Sequence, residues 1–142
     1  MLRLVKPLLG VLALLVVLGV AVPSAQGYDP TAPFNFTTGT SIPAVGVTAH
    51  TGACVVGGVM ATNSSGSTAF LMMFDATAQP TSGTAPLWQS ASCANAAFCP
   101  MTAIPPGGIN AKNGVYLAFS TSGAIYTPTA GTSAAFWSVL FR

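Results

Sequence analysis

Short apolar runs with a period of two residues recur along the chain after residue 27. Val115, Leu117 and Phe119 alternate with the residues between them, which is the pattern of a half-buried β-strand. Glycine, proline, asparagine and serine bound these runs, and no stretch of ten residues keeps a helical apolar period. The pattern therefore predicts strands and turns throughout this part of the chain.

Six segments carry the strand pattern: residues 45–49, 53–62, 68–75, 85–90, 115–121 and 134–142. Both faces of 68–75 are apolar, which predicts a central strand covered on two sides. Residues 63–67 are polar and glycine-containing, and they predict a hairpin loop between the strands on either side. Gly57-Gly58 predicts a bulge or a close backbone approach.

Strands at this spacing, with no helical segment between them, predict an all-β domain. The expected architecture is a single antiparallel β-sandwich of jelly-roll type with six to seven strands, over residues 53–142. The final strand, 134–142, is expected to close a sheet. Residues 28–52 are rich in proline and threonine and predict an extended arm, in which 45–49 could form an edge strand.

The N-terminal segment has the features of a signal peptide. Arg3 and Lys6 precede an uninterrupted apolar run at 8–22, and the small residues Ala25 and Gly27 suit a signal peptidase that cleaves after residue 27. An uncleaved anchor helix is the alternative. As a helix the apolar run is about 22 Å long, which is short against a hydrocarbon core of about 30 Å.

The chain of 142 residues contains few charges: four are Lys or Arg, two are Asp or Glu, and one is His. After removal of residues 1–27 the formal charge is zero, because Asp29 and Asp75 balance Lys112 and Arg142. This excludes a basic surface for nucleic acid. A neutral surface is typical of a protein whose neighbours cover it, so self-association or contact with other surface or virion proteins is expected, and membrane contact only through 8–22.

The three cysteines allow one intramolecular disulfide. Cys93 and Cys99 enclose a short loop and are the favoured pair, which leaves Cys54 as a small buried hydrophobe or as a partner in an intermolecular bridge. His50 and the three cysteines have the residue types of a zinc site, but their spacing does not match one. No metal and no cofactor is expected.

Few residues could support catalysis. His50, Asp29 and Asp75 are the main titratable groups of the exported part, and no nucleophile elbow or phosphate-binding loop accompanies them. Asp75 stands where a strand meets a turn, which favours a turn-capping role. His50 is expected at the surface near a strand end. The sequence therefore predicts a protein that is not an enzyme.

Three aromatic residues are the candidates for a binding surface: Trp88, Tyr116 and Tyr126. If they are exposed, they could contact a protein partner or, as an alternative function, a neutral glycan on a host cell surface. The competing interpretation is that the chain's own loops cover them.

An ordered series of strand and turn phrases occupies the second half of the chain: Asn63-Ser64-Ser65-Gly66, residues 69–76, Pro80 and Gly83, residues 85–88, residues 104–108 and residues 113–121. Over residues 60–142 the series resembles a loose group of small tailed-phage and prophage β-domain proteins, some of them linked to virion or tail-fibre modules. The resemblance implies a structural or surface-binding β-domain within an assembly. It implies no particular binding residue.

Overall fold

Eight short β-strands make up the regular structure of the described residues, 33–99, 104–130 and 136–142 of a computed structural model. They are β1 (Asn35–Gly39), β2 (Val47–Thr51), β3 (Cys54–Ala61), β4 (Phe70–Phe74), β5 (Trp88–Gln89), β6 (Ile109–Ala111), β7 (Gly114–Ser120) and β8 (Trp137–Phe141). Within these ranges no helix occurs, and thus none that could cross a membrane. The predicted signal or anchor helix lies outside the described residues.

The strands form two four-stranded sheets in which every pair is antiparallel. The first sheet has the order β1-β8-β3-β6 and the second has the order β2-β7-β4-β5. The predicted all-β, antiparallel class is confirmed, with eight strands rather than six to seven. The strand pattern had not indicated β1, within the predicted arm, or β6, which is only three residues long. As predicted, β2 lies at a sheet edge.

The loop at 63–67 does not close a hairpin, which corrects the prediction from sequence. β3 pairs with β6 and β8 in the first sheet, whereas β4 pairs with β5 and β7 in the second. The loop therefore carries the chain from one sheet to the other. A polar, glycine-containing segment reverses the chain in either case, so its composition does not reveal which strands will pair.

Two further strands differ from expectation. β8 lies between β1 and β3 and does not close a sheet. β7 is buried along its whole length, whereas its alternation predicted a half-buried strand. The prediction for β4 is confirmed: it is a central strand and its residues from Leu71 to Phe74 are buried on both faces. The register shift between Val56 and Gly58 also confirms the predicted bulge in β3.

The core lies between the sheets and takes side chains from both. The first sheet contributes Val56, Val59, Trp137 and Val139, and the second contributes Leu71, Met73, Leu117 and Phe119. These side chains are at most 4% exposed. At about 1.5–3 kcal/mol for each fully buried large apolar side chain, this β-sandwich-like core is the main source of stability.

The predicted Cys93–Cys99 disulfide is present and joins the ends of the two sheets. Cys93 pairs with Ala69, which directly precedes β4 of the second sheet. The Cys99 N–H donates to the carbonyl of Ala61, the last residue of β3 in the first sheet (2.9 Å). Cys54 is buried and has no disulfide partner. A disulfide indicates a non-reducing environment.

Replacing both Cys93 and Cys99 with alanine is expected to lower the free energy of unfolding by about 2–3 kcal/mol. The bridge closes a short loop, which reduces the conformational entropy of the unfolded chain, and in the folded protein it joins the two sheet ends. Urea unfolding with and without dithiothreitol measures this. Dithiothreitol should lower the urea midpoint of the wild type and leave the urea midpoint of the double variant unchanged. Equal wild-type midpoints under both conditions would contradict a stabilising role.

Candidate functional site

The outer faces of the two sheets differ in what covers them. On the second sheet a small additional core forms from Met72, Phe74, Tyr116, Ala118 and Tyr126. The segment after β4 and the segment after β7 lie over this face and bond to each other. The Gly83 N–H donates to the Tyr126 carbonyl, and the Tyr126 N–H donates to the Thr84 carbonyl (both 2.8 Å). The chain's own loops thus seal this face.

The three aromatic residues that were candidates for a binding surface are buried, so the condition for that role, exposure to solvent, is not met. Trp88 is 9% exposed, Tyr116 5% and Tyr126 0%. The Tyr116 hydroxyl donates to the Val45 carbonyl (2.5 Å), and the Tyr126 ring packs edge-on against Phe74. Coverage by the chain's own loops, the competing interpretation, describes Tyr116, which lies on the covered sheet face, and Tyr126 belongs to one of the covering loops.

Asp75 and His50 have structural contacts. One carboxylate oxygen of Asp75 accepts the N–H groups of Lys112 (2.9 Å) and Asn113 (2.6 Å). Asp75 therefore caps a turn, as predicted, although it is the turn between β6 and β7 and not the one that follows β4. The His50 ring packs against the Phe141 ring, with centroids 4.3 Å apart, and is only partly exposed.

Two of the four residues that have the types of a zinc site are not available as ligands. Cys93 and Cys99 are joined to each other, so neither supplies a thiolate. Over the ranges 33–99, 104–130 and 136–142, no group of three or more His, Cys, Asp or Glu side chains could hold a metal ion.

A groove of about 290 Å³ lies beside the β4 end of the second sheet. Its lining is Phe74, Asp75, Ala76, Pro80, Thr84, Ala85, Pro86 and Leu87. The one charged group in this lining, the Asp75 carboxylate, already accepts the two backbone N–H groups of the β6–β7 turn. The groove therefore has little polar chemistry available to orient a ligand.

Two buried groups have shifted acid–base properties. Burial raises the pKa of the Cys54 thiol above its ordinary value of 9.0, and the negative charge of Asp75 raises it further. Burial likewise raises the pKa of the Tyr116 phenol above its ordinary 10.0, with a smaller contribution from Tyr126. Both groups are neutral near pH 7, and Cys54 is consequently a poor nucleophile.

The free energy of unfolding is expected to fall as the pH rises above about 9. Folded Cys54 and Tyr116 hold their protons more tightly than the unfolded chain does, so unfolding releases protons at high pH. The stability that these two protonated groups contribute is fully present below their pKa values in the unfolded chain. It is lost as the pH rises through their higher pKa values in the folded protein. Urea titrations between pH 8 and 10.5 measure this slope. The Cys54→Ala variant should show a shallower slope between pH 9 and 10, and an identical slope would contradict the assignment.

The outer face of the first sheet carries large apolar side chains that are open to solvent. On this face Phe36 of β1 pairs with Leu140 of β8, which pairs with Gly58 of β3. The adjacent row is Thr38, Ser138 and Met60, in the same strand order. Because successive residues of a strand point to opposite faces, Phe36, Leu140 and Met60 share one side of the sheet, opposite the core.

Three more phenylalanines extend this surface beyond the strands. Thr62 follows Met60 by two residues; it pairs with Phe98, and its N–H donates to the Phe136 carbonyl (2.8 Å). At the other end the Phe34 ring lies against Gly57, where a Cβ atom would collide with it. We call this surface the open face; its large side chains are Phe34, Phe36, Met60, Phe98, Phe136 and Leu140.

The side chains of the open face are 36–71% exposed, with Phe36 (71%) and Phe98 (67%) the most accessible. The charged group at this surface is Arg142, whose guanidinium lies 4.5 Å from the centroid of the Phe34 ring. The open face is therefore a contiguous apolar surface with a single cation at one end. This surface was not predicted from the sequence, because the alternating pattern of the strands indicates the residues that face the core. One signal was nevertheless present in the sequence of β8: Leu140, with Ser138, alternates with the core-facing residues, which places a large apolar side chain on the outer face.

Comparison with protein-family models, curated proteins and solved structures yields no match to this chain. The chain's own residues therefore supply the evidence for its function, and the open face is the candidate functional site.

Proposed function

We propose that the protein is a non-enzymatic, exported structural module that attaches to a partner surface through the open face, as part of an assembly encoded by a phage or prophage. The open face carries this proposal. Monomeric proteins seldom expose contiguous apolar patches beyond a few hundred Å², and larger patches mark sites of interaction. Among the described residues, loops cover the outer face of the second sheet, whereas the large side chains on the outer face of the first sheet are exposed.

The proposed architecture is an eight-stranded jelly roll. Four of the antiparallel pairs join strands in the order first with last: β1 with β8, β2 with β7, β3 with β6 and β4 with β5. A long hairpin of eight strands that winds up into two sheets produces this pairing. Jelly rolls occur in viral capsid and lectin domains, which is compatible with a structural or surface-binding role.

Export is supported by two independent features. The disulfide between Cys93 and Cys99 requires conditions in which thiols are oxidised. The N-terminal pattern of Arg3, Lys6 and the apolar run at 8–22 is that of a signal peptide. The phage or prophage origin rests on the resemblance of residues 60–142.

The absence of an enzymatic role is supported by the contacts of the candidate catalytic groups. Asp75 binds backbone N–H groups of a turn, and His50 packs on an aromatic ring. Carbohydrate binding, the alternative function, depended on exposed Trp88, Tyr116 and Tyr126. Because these side chains are buried, no observation favours it.

The proposal is tested by sedimentation of the protein released from the cells that encode it. Wild-type chain, detected with an antibody, should co-sediment with fast-moving particles in a density gradient. A Phe36→Ser/Phe98→Ser variant should move to the slow fractions, because it loses the two most exposed side chains of the open face.

The matched control is Val45→Ser/Ile125→Ser, which removes two comparably exposed side chains (53% and 48%) that lie outside the open face. It should sediment as the wild type does. Slow sedimentation of the wild type would overturn the assembly role, and fast sedimentation of the open-face variant would overturn the assignment of this face.

A further inference from the structure

We infer that the partner that covers the open face is a second copy of this chain, which docks face to face with the first to form a closed, two-fold symmetric pair. This inference rests on the proposed function and names its partner. The size of the apolar surface, its charge and its distribution over the sheet each favour an identical partner.

The area of the open face is close to what a stable dimer needs. From their exposed fractions, the six large side chains leave roughly 600 Å² of apolar surface in water, at about 200 Å² for a whole side chain of this size. This is at the upper end of the range for the largest patch on a monomer, about 300–600 Å². A standard interface buries about 800 Å² on each partner, which the open face and the smaller residues around it can supply.

The charge of the molecule favours an identical partner over a charged one. The described residues include three with a formal charge, Asp75, Lys112 and Arg142, and only Arg142 lies at the open face. Two copies that meet through this face therefore bring almost no like charges together. A strongly charged partner would find at most one complementary side chain here, Arg142, whereas homodimer interfaces are characteristically more apolar than other interfaces.

The distribution of side chains suits the packing of one sheet on another. Small residues, Gly58, Thr38 and Ser138, lie between the large ones in the two central rows of the sheet. Sheets that stack face to face lie about 10 Å apart, with the side chains of each filling gaps in the other. In a two-fold interface the same surface serves on both partners, so each phenylalanine of one copy has small residues of the other available to it.

Analytical ultracentrifugation of the purified full chain, across about 0.1–100 µM, tests the inference. The wild type should be a dimer at the upper concentrations. Phe36→Asp and Phe98→Asp, made separately, should each weaken the dimer at least about 30-fold, the effect of losing one strong interface contact of about 2 kcal/mol. Both positions are mostly exposed, so the variants should keep the wild-type unfolding midpoint at low concentrations, where the wild type is also monomeric. Two different elements are sampled if one variant misfolds.

Ile125→Asp is the matched control, since Ile125 is 48% exposed and lies outside the open face; it should dimerise as the wild type does. A monomeric wild type would overturn the inference, as would a dimer that neither open-face variant weakens, or open-ended growth. If the chain is monomeric yet still sediments with particles through the open face, only the identity of the partner is wrong. Binding of the monomer to phosphatidylcholine vesicles, lost in Phe36→Asp, would assign the face to lipid and overturn the pair.

Discussion

Replacing Asn63 with alanine is expected to lower the free energy of unfolding by about 3 kcal/mol. The side chain is fully buried and makes three hydrogen bonds. Its Nδ2 group donates to the carbonyls of Ser67 (2.7 Å) and Cys93 (2.9 Å), and its Oδ1 atom accepts the Ser65 N–H (2.9 Å). Alanine removes all three bonds and leaves the Cys93 carbonyl buried without this donor. Urea unfolding monitored by tryptophan fluorescence measures the loss.

The physical reason for so large an effect is the position of Asn63 between two loops. Its backbone also bonds to the disulfide loop: its N–H donates to the Ala97 carbonyl (2.8 Å), and its carbonyl accepts the Ala96 N–H (2.6 Å). Asn63 thus joins the segment that crosses between the sheets to the loop that Cys93 and Cys99 close. Loss of its side chain loosens both at the same end of the molecule.

Asn95→Ala is the control for this prediction. Its Oδ1 atom accepts one exposed hydrogen bond, from the Gly66 N–H (3.0 Å), between the same two loops. Its loss should cost less than about 1 kcal/mol. Asn63→Asp keeps the acceptor but places a carboxylate against the two carbonyls that Nδ2 bonded, so it should be at least as harmful as the alanine variant. If Asn63→Ala were no more harmful than Asn95→Ala, the buried network would have no special role.

Gly46→Ala is the second large effect and is also expected to cost about 3 kcal/mol. Gly46 has a φ of +93°, which disfavours a side chain by about 1–2 kcal/mol. A Cβ atom there would also lie 2.5 Å from the Tyr116 ring and 2.6 Å from the Leu117 carbonyl oxygen. The oxygen belongs to the buried strand β7 and cannot easily move, so overpacking adds about 1–3 kcal/mol.

Gly52→Ala separates the two causes. Gly52 has nearly the same φ, +89°, but a Cβ atom would meet nothing within 4 Å. Its substitution should cost only the backbone term, about 1–2 kcal/mol. The difference between the two variants in urea unfolding reports the steric term at Gly46. Equal losses would show that β7 and Tyr116 accommodate the extra methyl group without cost.

Much of the fold follows from local patterns in the chain. The segments at 53–62 and 68–75 contain β3 and β4, and 115–121 covers all of β7 except its first residue. Alternation and β-branched or aromatic content are properties of the segment itself, so they are visible in the sequence. The pairing of Cys93 with Cys99 also follows from their short separation. The segment at 85–90 contains β5, although the strand itself is only two residues long. β6 was not predicted, since a strand of three residues is too short to show a period.

The candidate binding surface was much harder to predict from the sequence than the fold was. Trp88, Tyr116 and Tyr126 have the residue types of a binding surface, yet their exposure depends on whether loops distant in sequence lie over them. Tyr126 itself belongs to a loop that covers the second sheet. Phe36 and Phe98 lie in segments without a clear strand pattern, and only the pairing of β1 with β8 and of Thr62 with Phe98 places them on one surface.

The sequence by itself determined that this chain forms antiparallel strands with few charges and one short disulfide loop, because alternation, composition and loop closure act over a few neighbouring residues. Only the tertiary structure decided that the 63–67 loop crosses between sheets, that the second sheet is sealed and that the outer face of the first is open. Those outcomes depend on which strands pair across long separations and on which face the remaining loops cover. Each is a competition between surfaces of the whole molecule, and no single segment encodes its result.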